Sequence, residues 1–384
     1  MSLIILTDDL TGAADCGARC HQAGIAATIV LPGSRGLANS GALCYTSDSR
    51  HLPADLAAVC VHELAASLGE HAGSTWYKKI DSTLRGHLGQ ELDALLDTLG
   101  RSCALVCPAF PAQRRGLVDG YLAIQPAPAQ PPHLPTLLAL QSRRRVTAVR
   151  LNDVRGGAEW LAERLLAERA RGAELLVVDA LDDADLQTVL DAMLRALPDA
   201  LLCGSAGLAG MLAAYVGRHT PFWNDAQSAP VAGPALLVIG SGSPMAQRQI
   251  EYLRRHQLVA TFEQGADLPP GIAIDLLMHL PAPPPGAVLD GPAARRLAEQ
   301  LAAAALPLID AVRPGLLVLS GGDTAIGVLT SMGVTHLTVQ RELLPGVPLA
   351  LGVDPAGRSH AIVLKAGNHG DEATLATVLA RARS

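Results

Sequence analysis

Aromatic residues are scarce in this 384-residue chain: Phe, Trp and Tyr together make up 3% of it, although 49% of its residues are hydrophobic. Its cores must be built from Leu, Ala and Val, and an aromatic platform for stacking bases is not expected. Positive charge is in deficit too, with a formal net charge of −6, and the one dense basic run, Arg143-Arg144-Arg145, is short enough to read as a solvated helix end or loop. Nucleic acid is therefore not an expected partner. Long apolar runs are missing: Leu3–Leu6 is cut off by Asp8, and no later stretch approaches a membrane span or a signal segment. A cytoplasmic chain with no membrane partner is the expectation. The seven cysteines are odd in number, all lie at or before Cys203, and none forms a CxxC pair, so neither a disulfide framework nor a zinc or thioredoxin site is indicated. Cys16, Cys20, Cys103 and Cys107 read as small core hydrophobes. Two phosphate motifs are absent as well. There is no GxxxxGK[ST], and the first strand is not followed by GxGxxG, which argues against a P-loop NTPase and a nicotinamide dehydrogenase.

What is present is alternation. Short apolar runs at Leu3–Thr7, Ala26–Leu31, Ala42–Thr46, Thr75–Ile80, Ala104–Cys107, Leu175–Asp179 and Leu201–Cys203 alternate with helical patterns such as Pro53–Leu68, His87–Leu99 and Ala158–Arg171. That predicts an α/β fold with a mostly parallel sheet flanked by helices. The pattern lapses at "HTPFWNDAQSAPVAGP", then a second α/β series resumes with strands at Ala235–Ile239, Ile272–Leu277, Leu316–Leu319, Pro348–Gly352 and Ala361–Lys365 and helices near Met245–His256, Pro292–Ala304 and Asp371–Ala382. Two domains are expected, 1–218 and 235–384, joined by a linker at 219–234, with the active site in the cleft between them. "PAPPPG" at 281–286 reads as a stiff loop, and "AIQPAPAQPPHLPT" as an irregular surface loop of the first domain.

In an open α/β sheet the carboxyl ends of the strands face the ligand, which makes the residues just after each strand the candidates for chemistry. The first strand runs into Asp8 and Asp9, and "TSDSR" ends at Arg50. "KKIDSTLRG" spans Lys78 to Gly86, and "CPAFPAQRRG" begins at Cys107. Arg50, Lys79 and Arg85 would suit an anionic carboxylate, arginine bidentately, while Asp8, Asp81 and Ser82 would suit hydroxyls. Of Lys78 and Lys79 one should face solvent, since strand neighbours point to opposite faces; Lys79 is favoured because it shares a face with Asp81. Plain structural roles compete at each position: Asp9 or Thr11 as a helix cap, Asp81 as the cap of the next helix, and His87 and His369 as structural histidines. The second series carries three glycine turns after strands, Gly240-Ser241-Gly242-Ser243-Pro244, Ser320-Gly321-Gly322-Asp323-Thr324 and Lys365-Ala366-Gly367-Asn368-His369-Gly370. Such turns let backbone N–H groups and helix N-termini approach phosphate.

Taken in order, "TDDLTGAAD", "KKIDSTLRG", "PAFPAQ", "VDGYL", "GSAGLA", "GSGSP", "SGGDTA", "LPGVPL" and "KAGNHG" resemble the four-carbon acid sugar kinase family over essentially the whole chain. The resemblance implies a sugar-acid-binding N-terminal domain, a nucleotide-binding C-terminal domain, and ATP-dependent phosphorylation of an aldonate such as threonate, erythronate or a 3-oxo relative. It implies catalytic roles for Asp8 and Asp81, substrate contacts from Asp8, Arg50, Lys79, Asp81, Ser82 and Arg85, and nucleotide contacts from Ser241, Gly242, Ser243, Gly321, Gly322, Asp323, Thr324, Lys365 and Gly367. Mg²⁺ is expected with ATP and no direct protein metal site; a homodimer is compatible. Asp8, Asp81 and Asp323 all remain candidates for orienting the acceptor hydroxyl, Asp323 alternatively for organising Mg²⁺ through water. Closure of the two domains would exclude water as a competing acceptor. Three features depart from the family pattern: Arg114-Arg115 where glycine then arginine is usual, a shortened Pro-rich segment after Tyr121, and "KAGNHG" in place of "KSGGFG". The first two bear on substrate identity and the third on nucleotide contacts, and the altered 114–135 region keeps a non-catalytic sugar-acid sensor open as the alternative.

Overall fold

The computed structural model describes residues 2–34, 41–69, 74–125, 127–218, 229–256, 259–262, 274–280 and 291–384. Most of the expected linker at 219–234 and the "PAPPPG" loop lie outside the described residues. The chain divides into two compact units, Met1–Ile25 with Ala38–Phe222, and Ala26–Leu37 with Trp223–Ser384. Where the sequence reading keeps all of 1–218 together, the stretch 26–37 groups with the second unit.

Strands follow in chain order as β1 (Leu3–Thr7), β2 (Ala27–Val30), β3 (Ala42–Thr46), β4 (Thr75–Lys79), β5 (Ala104–Cys107), a hairpin of β6 (Arg115–Val118) and β7 (Tyr121–Ile124), β8 (Val146–Val149), β9 (Leu175–Val178) and β10 (Leu201–Gly204). The series continues with β11 (Ala235–Ile239), β12 (Val259–Thr261), β13 (Asp275–His279), β14 (Leu316–Ser320), β15 (His336–Leu344), β16 (Val347–Val353) and β17 (Ser359–Lys365).

In the first unit the order is β3-β1-β4-β10-β5-β9-β8, every pair parallel. Central strands of such a sheet are covered on both faces, so they are continuously apolar rather than alternating. β1, LIILT, is buried at all its positions. β4 follows the same rule at a polar cost, because TWYKK puts both Lys78 and Lys79 inside. The Arg143-Arg144-Arg145 run is tied down by carboxylates: Arg143 to Asp97, and Arg144 to Asp93, Asp97 and Glu174.

The second unit has a parallel half, β12-β13-β11-β14-β17, and an antiparallel half in which β16 pairs β17, β15 pairs β16, and β2 pairs β15. Its core is aliphatic, as the shortage of aromatics requires: Leu237, Ile239, Ile250, Val318, Leu349, Val363 and Val378 pack together. β15 departs from expectation, since no strand is read there from the sequence. Leu337 and Val339 point inward and Thr338 outward, but the pairing with β16 shifts register between Val339 and Arg341 and again between Glu342 and Leu344, which breaks the alternation where the charges fall. The Pro-rich stretch after Tyr121 is irregular only in its middle, its ends belonging to β7 and to the helix Leu134–Gln141. Among the described residues no helix is long and apolar enough to cross a membrane.

Candidate active site

β1 lies between β3 and β4 in parallel register, Thr7 opposite Thr46 and Lys79, so the residues after these strands emerge along one edge. Asp9 takes the first helix: its Oδ1 accepts from Gly12 N at 2.8 Å, its Oδ2 from the Thr11 hydroxyl, and it caps Leu10–Gln22. The turn after β3 is pinned to β1 by Ser47 Oγ donating to Thr7 O (2.9 Å) and Ser49 N donating to Asp8 O (3.0 Å). That turn delivers Arg50, whose Nε and Nη2 grip the two oxygens of Asp8 (2.7 and 2.8 Å) while Nη1 reaches Asp9 Oδ2 (2.6 Å). The fork expected to bind a substrate carboxylate is thus engaged by the chain's own acids. Asp8 is 2% exposed. Burial pushes its carboxyl pKa up, but Arg50, with help from Lys78 and Lys79, outweighs this and holds it below the usual range.

Neither lysine of β4 faces solvent, which corrects the expectation for that pair. Their side chains do point to opposite faces, but helices cover both. Lys78 Nζ pairs with Glu91 Oε2 at 2.7 Å, and Glu91 Oε1 accepts from Ser49 Oγ at 2.6 Å, so a fully buried charge is matched by a buried partner. Lys79, on the face of the first helix, donates to Ile80 O at 2.8 Å and forms no ion pair among the described residues. Glu91 is a residue the sequence reading missed; its clue was a carboxylate in the first turn of the helix that follows.

Asp81 closes a turn rather than capping a helix. Its Oδ2 accepts from Arg85 Nε (2.5 Å), Thr83 Oγ1 (2.5 Å) and Arg85 N (3.3 Å), while the helix Leu88–Thr98 starts after His87 with no side-chain cap. Among the described residues Oδ1 of Asp81 receives no hydrogen bond. Burial works against its charge, yet the bond from Arg85 and the positive field of Arg50 keep it well below the usual carboxylate range. Ser82 Oγ accepts from Arg115 Nη1 at 2.5 Å. Arg114, where the family pattern has glycine, adopts a left-handed φ of 54°, the conformation glycine takes without strain. Arg114 thus takes a backbone conformation that glycine would also accept, and Arg115 follows it at the start of β6. His87 Nε2 lies 2.6 Å from Leu52 O, a structural contact.

In the second unit β11, β14 and β17 are adjacent and parallel, with Ile239, Ser320 and Lys365 in register at their ends. The three glycine turns leave from this line and lock together: Gly240 N donates to Ser320 O (3.0 Å), Gly321 N to Lys365 O (3.0 Å), and Ser243 Oγ to Gly367 O (3.1 Å). There is no room for side chains between them. A Cβ at Gly240 would stand 1.7 Å from Thr324 Oγ1, and one at Gly367 would stand 2.1 Å from Ser241 Oγ. Thr324 fills the space beside Gly240, and Ser243 Oγ, besides donating to Gly367 O, accepts from Ala246 N at the start of Pro244–His256. Gly322 and Asp323 open the helix Gly322–Ser331, whose first N–H groups have no intrahelical partner. The third turn is held in part through its backbone, Gln249 Nε2 donating to His369 O (2.9 Å) and Asp371 O (2.7 Å).

Lys365 is buried, donates to Ala366 O at 2.8 Å, and has its ammonium pKa pushed down to about 7 by desolvation. Ser320 Oγ beside it is buried without a partner. An edge of packed glycines, free helix N–H groups and a cation with no carboxylate fits a polyphosphate. Among the described residues no three His, Cys, Asp or Glu side chains gather as a metal site; Asp323 is the carboxylate at these turns, which suits a Mg²⁺ that keeps waters and phosphate oxygens as most of its ligands.

Two family models match the chain, a sugar-binding N-terminal domain over residues 3–212 and a nucleotide-binding C-terminal domain over 286–375. A D-threonate kinase of Cupriavidus necator is 32% identical, covering 98% of this chain and 96% of its own. A D-threonate kinase of Salmonella typhimurium is 28% identical over 99% and 98%, and a D-erythronate kinase of Heliobacterium modesticaldum 26% identical over 95% and 93%. Crystal structures of a Salmonella typhimurium and a Haemophilus influenzae protein match with TM-scores of 0.77 and 0.71 at 23% and 22% identity, covering 100% and 99% of this chain and 98% of each of theirs, a likeness of fold.

Proposed function

The chain belongs to the four-carbon acid sugar kinase family, and we propose that its first unit holds a four-carbon aldonate, such as threonate, erythronate or a 3-oxo-tetronate, while the glycine turns of the second hold ATP. The observation that carries this reading is the contrast in donors: charged side chains and a carboxylate with a free oxygen at Asp81, against backbone N–H groups and one buried lysine at the turns. Phosphoryl transfer passes through a loose transition state, so it asks for an oriented hydroxyl and neutralised phosphate charge more than for a strong base. A carboxylate that stays ionised suits that task. Asp81 accepts the acceptor hydroxyl's proton-bearing edge on Oδ1, its other oxygen being fixed by Thr83 and Arg85. Asp8, clamped by Arg50, supports the same pocket from β1. At the turns, Ser241, Gly242, Gly321, Gly322 and Gly367 frame the phosphates, and Lys365 offsets their charge. Mg²⁺ bound with ATP would supply charge neutralisation, and Asp323 is the residue that would help hold it.

Phosphorus NMR of ATP incubated with a panel of C4 to C6 aldonates and neutral polyols tests the reading. A phosphate ester on a four-carbon aldonate, and little or none on erythritol, is the expected result. Equal turnover of erythritol would remove the case for an acid substrate.

A further inference from the structure

At the edge of the first unit three cations already have a carboxylate: Arg50 has Asp8 and Asp9, Lys78 has Glu91, and Arg85 has Asp81. Among the described residues Lys79, Arg114 and Arg115 form no ion pair, and Arg114 is exposed. Lys79 is buried beneath the edge with its ammonium on Ile80 O. Arg115 is different in kind. It starts β6, where the chain reverses on itself: Phe110 N donates to Arg115 O (2.7 Å), Arg115 N to Phe110 O (3.1 Å), and Arg114 turns in the left-handed region between them. This brings the half-buried guanidinium onto the Asp81–Arg85 turn, with Nη1 donating to Ser82 Oγ at 2.5 Å. Ser82 is itself buried.

A hydroxyl aims a guanidinium but does not neutralise it; Asp81 and Asp15 favour its charge from nearby without pairing to it, and burial still works against that charge, so an anion in direct contact would stabilise it further. Only one of the five guanidinium N–H groups is used by Ser82, which leaves a planar edge able to take a carboxylate bidentately. We propose that Arg115, oriented by Ser82, binds the carboxylate of the sugar acid and sets the enzyme's preference for acids over neutral polyols. This rests on the sugar-acid kinase reading and deepens it: Arg50 and Arg85, already paired, shape the pocket, and Arg115 makes the charge contact.

The test compares the best aldonate substrate with its neutral aldonamide in the wild type, Arg115→Met and Arg115→Lys. Loss of a charged hydrogen-bonded contact should raise the aldonate KM of Arg115→Met by about tenfold or more, leave the aldonamide KM within about twofold, and leave ATP affinity by calorimetry unchanged, so the acid-over-amide preference collapses. Arg115→Lys should recover part of that preference, since it keeps the charge without the fork, and it serves if the methionine variant folds poorly. Equal loss on acid and amide would make Arg115 a structural residue. A rise confined to the KM for ATP would assign it to phosphate. An unchanged aldonate KM in either variant overturns the proposal while leaving the kinase reading intact. A wild-type chain that phosphorylates no aldonate overturns the acceptor reading and this proposal with it.

Discussion

At the carboxyl edge of the first unit, Asp8, Asp9, Arg50, Asp81, Arg85 and Arg115 stand within a few bonds of one another, whereas at the corresponding edge of the second unit the buried cation Lys365 and the carboxylates Asp323 and Asp371 stand among glycines and hydroxyls. The same architectural device, parallel strands ending in loops, has been furnished in two ways. Side chains recognise one particular molecule, and each can be exchanged to recognise another. Backbone recognises phosphate, which needs no side chain and leaves no space for one. The first edge is therefore sensitive to lost charge, the second to added volume.

Arg50→Met should have the largest effect, because it leaves Asp8 and Asp9 in a largely buried setting without their guanidinium; a stability loss of about 3–5 kcal/mol in urea unfolding is expected. A loss below about 1 kcal/mol would mean that the clamp on Asp8 does not hold the edge together. Next comes Asp81→Asn, isosteric and still able to accept from Thr83. Acceptor turnover should fall about 10²–10³-fold, with stability changed by less than about 1 kcal/mol because the partner Arg85 is 58% exposed, and with ATP affinity retained. Turnover within a few-fold of wild type would make Asp81 a turn residue and bring Asp8 forward.

On the second edge, Gly367→Ala drives a methyl into Ser241 and should weaken ATP binding about tenfold or more in calorimetry, with sugar-acid binding intact. Unchanged ATP affinity would show that these turns do not frame the nucleotide. Lys365 gives the smallest effect and the only one set by pH. Its pKa in the folded chain is about 7 against an ordinary 10.5, so between those values the unfolded chain binds more protons, and stability rises with pH across that window. For ATP the sign is opposite: the ammonium is charged below about 7, so affinity should decline several-fold as pH rises above it. Lys365→Met should weaken binding at pH 6 and flatten the decline. A wild-type affinity that rose from pH 7 to 9 would separate Lys365 from the phosphates.

Much of this was legible before any coordinates. Buried parallel strands read plainly where nearly every residue is apolar, as in Leu3–Thr7 and Ala235–Ile239. Positions following such strands are then candidates by topology alone, which is how Asp8, Asp81, Gly321 and Gly367 stood out. What could not be read was who pairs with whom. The grip of Arg50 on Asp8 depends on β3 lying beside β1, and the burial of Lys78 depends on Glu91 one helix away. The turn at Arg114 could not be read for a related reason, since a left-handed φ is invisible in a residue other than glycine. β15 was lost to two register shifts.

The pairing of β2 with β15 bears on how this protein can be taken apart. His336, Leu337 and Thr338 find their partners in Val30, Ile29 and Thr28, so the nucleotide-binding unit is not written as one continuous piece of sequence. Severing the chain at the Pro-rich junction near residue 229 would release a fragment with a bare strand edge, a template for pairing with other copies. A soluble nucleotide-binding fragment would be better encoded with Ala26–Leu37 joined back to it through an engineered connection, and exchanging the two halves between relatives would need two cuts in the N-terminal half, not one.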